Sequence, residues 1–301
     1  MKKKILILGL GSIGLLHANV LSKFKNVYKI FVFTKRDSKG FNKIRYLSDI
    51  KSINPDYVLI CSKTSDHFKH LSFVEKRLMN KTILVEKPLF DKFKNLKIKR
   101  NKVIVGYNLR YHPIIRFLKK KIINKKIYSI SVFCGSHLPE WRKSRNYQST
   151  YSSNKKEGGG VLLDLSHELD YIQSILGKIS KIEYAKVKKI SNLKITSDDY
   201  ANIIGKIKNI NFSINLNYFT KHNQRTILID GNNISIEADL IKNTVKIIEK
   251  GKNQLIKHSV KKKFTYRTMH KNLLKNNFKI ACSFKNGKKL MTLIDRIKKL
   301  N

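Results

Sequence analysis

Apolar residues fall into two different rhythms along this chain. Up to about residue 120 they form short continuous runs: Ile5–Leu8, Lys29–Thr34, Tyr57–Ser62, Thr82–Val85 and Val103–Val105. Continuous runs mark strands buried on both faces, and their alternation with helix-compatible stretches predicts a doubly wound parallel sheet. Helices are expected over Ser12–Phe24 and over Ser65–Met79, the second with Ser65 or Asp66 as its N-cap. From about Lys126 the pattern becomes apolar–polar alternation, at Tyr128–Cys134, Lys181–Lys189, Tyr200–Ile207, Asn211–Tyr218, Arg225–Asp230, Asn233–Glu237 and Thr244–Ile248. Alternation marks half-buried strands, and Asp230-Gly231-Asn232-Asn233 reads as a hairpin turn, so this half predicts a largely antiparallel open sheet. One amphipathic helix is expected over Gly160–Leu176, and helices again over Tyr266–Phe284 and Lys288–Leu300. The fold class is α/β, with one domain over residues 1–120 and an α+β domain over 121–301 for substrate and subunit contacts.

The first run leads straight into Gly9-x-Gly11-x-x-Gly14 and then a helix. Strand, glycine turn and helix together form the fingerprint of a Rossmann dinucleotide site. The first glycine makes the turn, the second lets backbone approach a pyrophosphate, and the third lets helix and strand pack closely. Ser12 and Ile13 then lie against the pyrophosphate at the helix N-terminus. A lysine-rich start before an apolar run also describes a secretory signal, but no small-x-small cleavage site follows it. No run approaches the roughly 20 apolar residues of a membrane span. The expected compartment is the cytoplasm.

Charge changes the picture less than its size suggests. There are 64 Lys and Arg against 20 Asp and Glu, a net +44. Such an excess raises nucleic acid or an anionic surface as partners. The lysines, however, are spread over the whole chain with abundant Asn and Ile, the trio that AT-rich codons encode, so a compositional origin is the better account and no specific nucleic acid or membrane partner is expected. Three scattered cysteines, Cys61, Cys134 and Cys282, fit buried thiols in a reducing compartment, and no Cys/His spacing suggests a metal.

The residue closing the second strand reads the adenosine ribose. An acid there favours NAD. Here the segment is Thr34-Lys35-Arg36, with Asp37 too late, and a hydroxyl followed by two cations favours NADP over NAD. Hydride transfer to or from a secondary alcohol also needs a base for the hydroxyl proton and a donor for the developing alkoxide. Lys87, in Glu86-Lys87-Pro88 after the Thr82–Val85 run, sits where parallel sheets bind ligands, with Glu86 beside it to position Lys87 or the nicotinamide ribose. His167 is the natural acid/base, and Asp164, three residues earlier and expected on the same helix face, would orient it. Tyr107, Asn108 and Arg110 follow a strand edge, and Arg110 suits a carboxylate or phosphate. The loop with Trp141 and Arg142 combines aromatic and cation as a sugar site does.

Taken together, Gly9-x-Gly11-x-x-Gly14, Glu86-Lys87-Pro88 and Gly158-Gly159-Gly160…Asp164…His167…Asp170 closely resemble the Gfo/Idh/MocA oxidoreductases, the family of glucose–fructose oxidoreductase and inositol dehydrogenase. The resemblance covers residues 1 to about 177. It implies Lys87 and His167 as the catalytic pair, and Ser62 and His67 as cofactor-lining residues in the Ser62–His67 segment, where Lys63 replaces a usual proline. It departs at Asp-x-x-His, where the common spacing is Asp-x-x-x-His. The wording around Trp141 and Asp164–Tyr171 resembles a subgroup that accompanies surface-sugar biosynthesis. The implied function is an NAD(P)-dependent oxidoreductase acting on a secondary alcohol or ketone of a sugar, sugar nucleotide or sugar acid. It is expected as a homodimer or homotetramer through the second sheet. The rivals are a non-catalytic dinucleotide-binding regulator on this fold, which needs neither Lys87 nor His167, and a charge-driven nucleic-acid or anionic-surface binder.

Overall fold

The computed structural model describes residues 3–142 and 145–300, without the Arg142 side chain. In chain order the elements begin with β1 (Lys3–Leu8), α1 (Ser12–Leu21), β2 (Val27–Phe33), β3 (Asn42–Lys43), α2 (Ile50–Ile53), β4 (Tyr57–Ile60), α3 (His67–Arg77), β5 (Thr82–Val85) and β6 (Lys102–Val105). There follow α4 (Pro113–Lys121), β7 (Ile127–Gly135), α5 (Val161–Asp164), α6 (His167–Leu176), β8 (Lys181–Lys188), β9 (Tyr200–Ile207) and β10 (Ile210–Asn217). The chain continues through β11 (Gln224–Gly231), β12 (Ile234–Asp239), β13 (Thr244–Glu249), β14 (Lys252–Lys257), α7 (Phe264–Leu274), β15 (Cys282–Ser283) and α8 (Phe284–Lys299).

Two compact units result. The first is Met1–Asn108 with Lys263–Met291, and the second is Leu109–Lys262 with Thr292–Asn301. A cut at residue 120 misses the return of 263–291, whose β15 pairs antiparallel with β6.

The first unit holds one sheet in the order β15-β6-β5-β4-β1-β2-β3, parallel apart from β15. Ile5–Leu8, Tyr57–Ile60 and Ile83–Val85 are buried, which is why these runs carry no alternation. Register decides what this sheet can do. Leu8 lies opposite both Phe33 and Ile60, Ile60 opposite Val85, and Val85 opposite Val105. The residues that follow, Gly9, Thr34, Cys61, Glu86 and Gly106, therefore leave the sheet at one edge. The strand order reverses at β1, so the ligand crevice of such a sheet belongs here.

The second unit holds the sheet β14-β13-β12-β11-β7-β10-β9-β8, antiparallel except where β10 runs parallel to β7. Ile130, Val132, Ile214 and Ile227 are buried on one face. The opposite face carries a row in direct register, Tyr184–Ile204–Ser213–Ser131–Leu228–Glu237–Lys246–Leu255. The single helix expected over Gly160–Leu176 is two. α5 ends at Asp164, and α6 starts at His167 after the break at Leu165 and Ser166. Among the described residues no helix is long and apolar enough to cross a membrane.

Candidate active site

The three glycines of the first turn do three separate things. Gly9 has φ +94°, a left-handed conformation, and a Cβ on it would lie 2.7 Å from the Cys61 carbonyl oxygen. A Cβ on Gly14 would lie 2.0 Å from the Gly9 carbonyl oxygen, so this position closes the helix onto the turn. A Cβ on Gly11 would meet nothing within 4 Å. The open side of the turn is therefore at Gly11, the N-cap of α1, and no side chain caps the first amides of that helix. Exposed Ser12 and half-buried Ile13 supply two of those amides. Backbone donors, the positive end of a helix dipole and no Cβ in the way fit the pyrophosphate of a dinucleotide.

At the end of β2, the Thr34 hydroxyl accepts the Arg36 amide at 3.0 Å, and the Lys35 and Arg36 side chains are exposed. Asp37 is paired with Lys39 at 3.0 Å, and the Lys39 side chain holds its carboxyl below the usual value. The Ser62 hydroxyl meets His70 Nδ1 at 2.9 Å. His67 is not placed as a ligand contact. Its Nδ1 lies 3.1 Å from the Pro88 carbonyl and its Nε2 3.2 Å from the Ser62 carbonyl. The ring thus ties the loop after β4 to the turn after β5, and burial pushes its pKa down.

That turn carries half-buried Lys87. Glu86 Oε2 accepts the Lys87 amide at 3.2 Å, and Glu86 Oε1 meets His17 Nε2 at 2.9 Å. Tyr107 and Asn108, expected to face substrate, are buried, and the Asn108 amide donates to Thr265 Oγ1 on α7 at 2.8 Å.

In the second unit His167 is the first residue of α6 and is buried. Its helical turn is clamped from two directions. Arg110 donates from Nε and Nη2 to the Asp170 carboxylate at 2.8 and 2.7 Å, and Arg225 Nε lies 2.8 Å from Glu168 Oε1. These Arg110 donors serve Asp170, so the fork expected for a substrate anion holds the His167 helix instead. Asp164 accepts from Tyr151 at 2.8 Å and from Tyr218 at 2.6 Å. With α5 ended, it shares no helix face with His167, and both its oxygens are engaged by tyrosines. Trp141 donates to the Ser136 hydroxyl at 2.8 Å and stands edge-on to Tyr218 at 5.2 Å. With Leu138, Tyr147, Thr150 and Ser152 it lines a narrow cleft of about 10 Å³, room for a single water. The Arg142 side chain lies outside the described residues. Among the described residues no cluster of His, Cys, Asp and Glu could hold a metal ion.

Comparison with known families agrees with this geometry. Residues 3–105 match the oxidoreductase family with an NAD-binding Rossmann fold, and residues 116–237 match the GFO/IDH/MocA C-terminal domain. Together the two matches take in most of the chain. It belongs to the GFO/IDH/MocA oxidoreductase family.

Solved structures share the fold of this family member at low identity. UDP-N-acetylglucosamine 3-dehydrogenase GnnA from Acidithiobacillus ferrooxidans is 13% identical with a TM-score of 0.78, covering 100% of this chain and 98% of that one. The WlbA dehydrogenase from Bordetella pertussis, in complex with NADH and UDP-GlcNAcA, is 15% identical with a TM-score of 0.76, covering 99% and 96%. Levoglucosan dehydrogenase in complex with NADH is 16% identical with a TM-score of 0.81, also covering 99% and 96%. No curated protein sequence matches.

Three polar residues of this oxidoreductase escaped the sequence pattern. His17, Tyr57 and His270 are buried in the first unit and lead to Glu86. A histidine on the packed face of α1, three residues past Gly14, was the one local signal. His270 lies 253 residues further on, and nothing local points to it.

Proposed function

We propose that the chain is an NADP-preferring oxidoreductase that moves a hydride between nicotinamide and a secondary alcohol or ketone of a sugar, sugar nucleotide or sugar acid. The open glycine turn at Gly11, in the same strand-edge row as the Glu86–Lys87 turn, carries the proposal. A bound nicotinamide dinucleotide supplies the hydride acceptor or donor at its C4. The protein does the rest. The amides at Ser12 and Ile13 bind the pyrophosphate, and Lys35 and Arg36 with Thr34 receive a ribose 2′-phosphate. The residues that follow β2, Thr34, Lys35 and Arg36, include no acid to accept from a 2′-hydroxyl, which supports this.

Lys87 hydrogen-bonds the reacting oxygen and stabilises it as an alkoxide. His167 takes the hydroxyl proton when the alcohol is oxidised and returns it when the ketone is reduced. Asp164 acts indirectly, by fixing the Tyr151 and Tyr218 hydroxyls in the unit that carries His167. Half-buried Trp141, with Tyr147 beside it, offers aromatic surface for the apolar face of a sugar ring. A sugar nucleotide is favoured because similar structures include a UDP-N-acetylglucosamine dehydrogenase and a dehydrogenase bound to UDP-GlcNAcA, and because a chain of net charge +44 attracts anions. A homo-oligomer through the outer face of the second sheet is also proposed, since Tyr184, Ile204, Leu228 and Leu255 are exposed there in one row.

The test is turnover. Reduced-nicotinamide absorbance is followed with UDP-sugars, sugar acids and free sugars, for wild type and Lys87→Met. Turnover of at least one sugar class that Lys87→Met abolishes, with cofactor binding retained, is expected. Cofactor binding with no turnover of any class would favour the regulator.

A further inference from the structure

Four buried polar groups of the first unit form one unbroken line. Tyr57 Oη lies 3.1 Å from His270 Nδ1, and His270 Nε2 lies 2.7 Å from His17 Nδ1. His17 Nε2 lies 2.9 Å from Glu86 Oε1, and Glu86 Oε2 accepts the Lys87 amide at 3.2 Å. His17 and His270 have no exposed surface. Burying such groups is costly unless every one is paired. One tautomer assignment pairs all of them. Tyr57 donates to His270 Nδ1, His270 donates from Nε2 to His17 Nδ1, and His17 donates from Nε2 to the Glu86 carboxylate. His270 fits that assignment, because burial and then the neighbouring His17 hold it neutral. Each member stands on a different element: β4, α7, α1 and the turn after β5. Gly106 leaves the room they need, since a Cβ there would lie 2.5 Å from Glu86 Oε1.

We propose that His17 and His270 are positioning residues that set the Glu86–Lys87 turn, tying it to the helix that opens at the glycine turn. The inference rests on the function proposed above, in which α1 receives the pyrophosphate and Lys87 works at the nicotinamide end. The line holds those two ends of the cofactor site on one frame. Its loss loosens the nicotinamide end and spares the adenosine end.

A pair of ligands separates the ends. NADPH carries nicotinamide, and 2′-phospho-ADP-ribose keeps the adenosine ribose and both bridging phosphates without it. Both are titrated into the full chain as wild type, His17→Ala, His17→Gln, His270→Gln and Gly106→Ala, with thermal melts to confirm folding. NADH and ADP-ribose form the matching pair if the wild type prefers them. His17→Ala and Gly106→Ala are expected to weaken NADPH about tenfold, the scale of one charge-assisted hydrogen bond, and to leave 2′-phospho-ADP-ribose within about twofold. His17→Gln, which keeps an N–H for Glu86, regains most of the loss, and His270→Gln falls between. Gly106→Ala disturbs Glu86 without touching α1, so it carries the test if His17→Ala does not fold. Equal weakening of both ligands, no rescue by glutamine, or unchanged NADPH binding in Gly106→Ala would overturn the inference. Wild type binding neither ligand is a separate failure, that of the cofactor reading itself.

Discussion

Substituting Gly11 and Gly14 by alanine adds the same methyl group three residues apart, and the structure assigns the two changes opposite consequences. At Gly14 the new carbon lies 2.0 Å from the Gly9 carbonyl oxygen and 3.1 Å from its carbon. Both are backbone atoms of a residue already at φ +94°, so no side-chain rotation relieves the contact. Overpacking costs about 1–3 kcal/mol where side chains can yield, and here the cost should be about 3 kcal/mol or more. Against a total stability of roughly 5–15 kcal/mol, that is a large share. At Gly11 the backbone is at φ −73° and ψ −168°, open to any residue, and the methyl meets nothing. Stability should hold or rise by about 0.4–1 kcal/mol, because the unfolded chain loses freedom. The methyl nevertheless stands where a pyrophosphate would rest, so NADPH affinity should fall at least about tenfold, or 1.4 kcal/mol. Urea denaturation followed by circular dichroism gives the stabilities, and fluorescence titration gives the affinities. A Gly11→Ala protein that binds NADPH as well as wild type would refute the assignment of the open side of the turn. A Gly14→Ala protein as stable as wild type would refute the packing argument.

Further outcomes follow from the second unit and from the buried histidines. Arg110→Ala removes two charge-assisted hydrogen bonds from the buried Asp170 carboxylate and should cost about 3–5 kcal/mol in urea; unchanged stability with a raised KM would return Arg110 to the substrate. Tyr218→Phe removes one of the two hydroxyls on Asp164 and should cost about 1–3 kcal/mol, whereas a loss of activity at full stability would place Tyr218 in the chemistry. Burial lowers the pKa of His67, His112 and His270, so the folded protein binds fewer protons than the unfolded chain below the ordinary value of 6.5. Stability is then complete above that value and lost as pH falls; His112, lowered to about 4, should account for about 3 kcal/mol between the two. Urea midpoints that stay flat across this window, or that His112→Gln leaves equally steep, would contradict this.

The parts of the fold that were legible are those in which each residue's burial follows from its own strand. Ile5–Leu8, Tyr57–Ile60 and Thr82–Val85 are continuous because helices are expected on both faces, and β8 to β13 alternate because one face is open. β14 was not legible, since an edge strand with no buried residue has no alternation to show. β15 was missed because its two residues are a strand only by pairing with β6. The apolar face of α4, with Ile114, Ile115 and Leu118 buried, is readable in the sequence but shares its helix with four basic residues, Arg116 and Lys119 to Lys121. The break between Asp164 and His167 was invisible, because apolar spacing continues across it. At the site, the glycine turn and the strand-edge place of Lys87 follow from local spacing, because each is set by the strand before it. A strand-edge arginine such as Arg110 reads as an anion site, and the carboxylate it meets, Asp170, lies sixty residues on where no local pattern shows it. Glu86 meets His17 from α1, and the partner of His17 in turn, His270, comes from the far end of the chain.

The measurement that bears most directly on the central claim is a fluorescence titration of NADPH and NADH into the purified protein at physiological salt, with wild type and Arg36→Ala side by side. The expected result is micromolar NADPH binding, tighter than NADH and weakened by Arg36→Ala. Tighter NADH binding would overturn the phosphate role of Thr34, Lys35 and Arg36 and leave the oxidoreductase standing. Binding of neither dinucleotide would contradict the claim that this chain works through one.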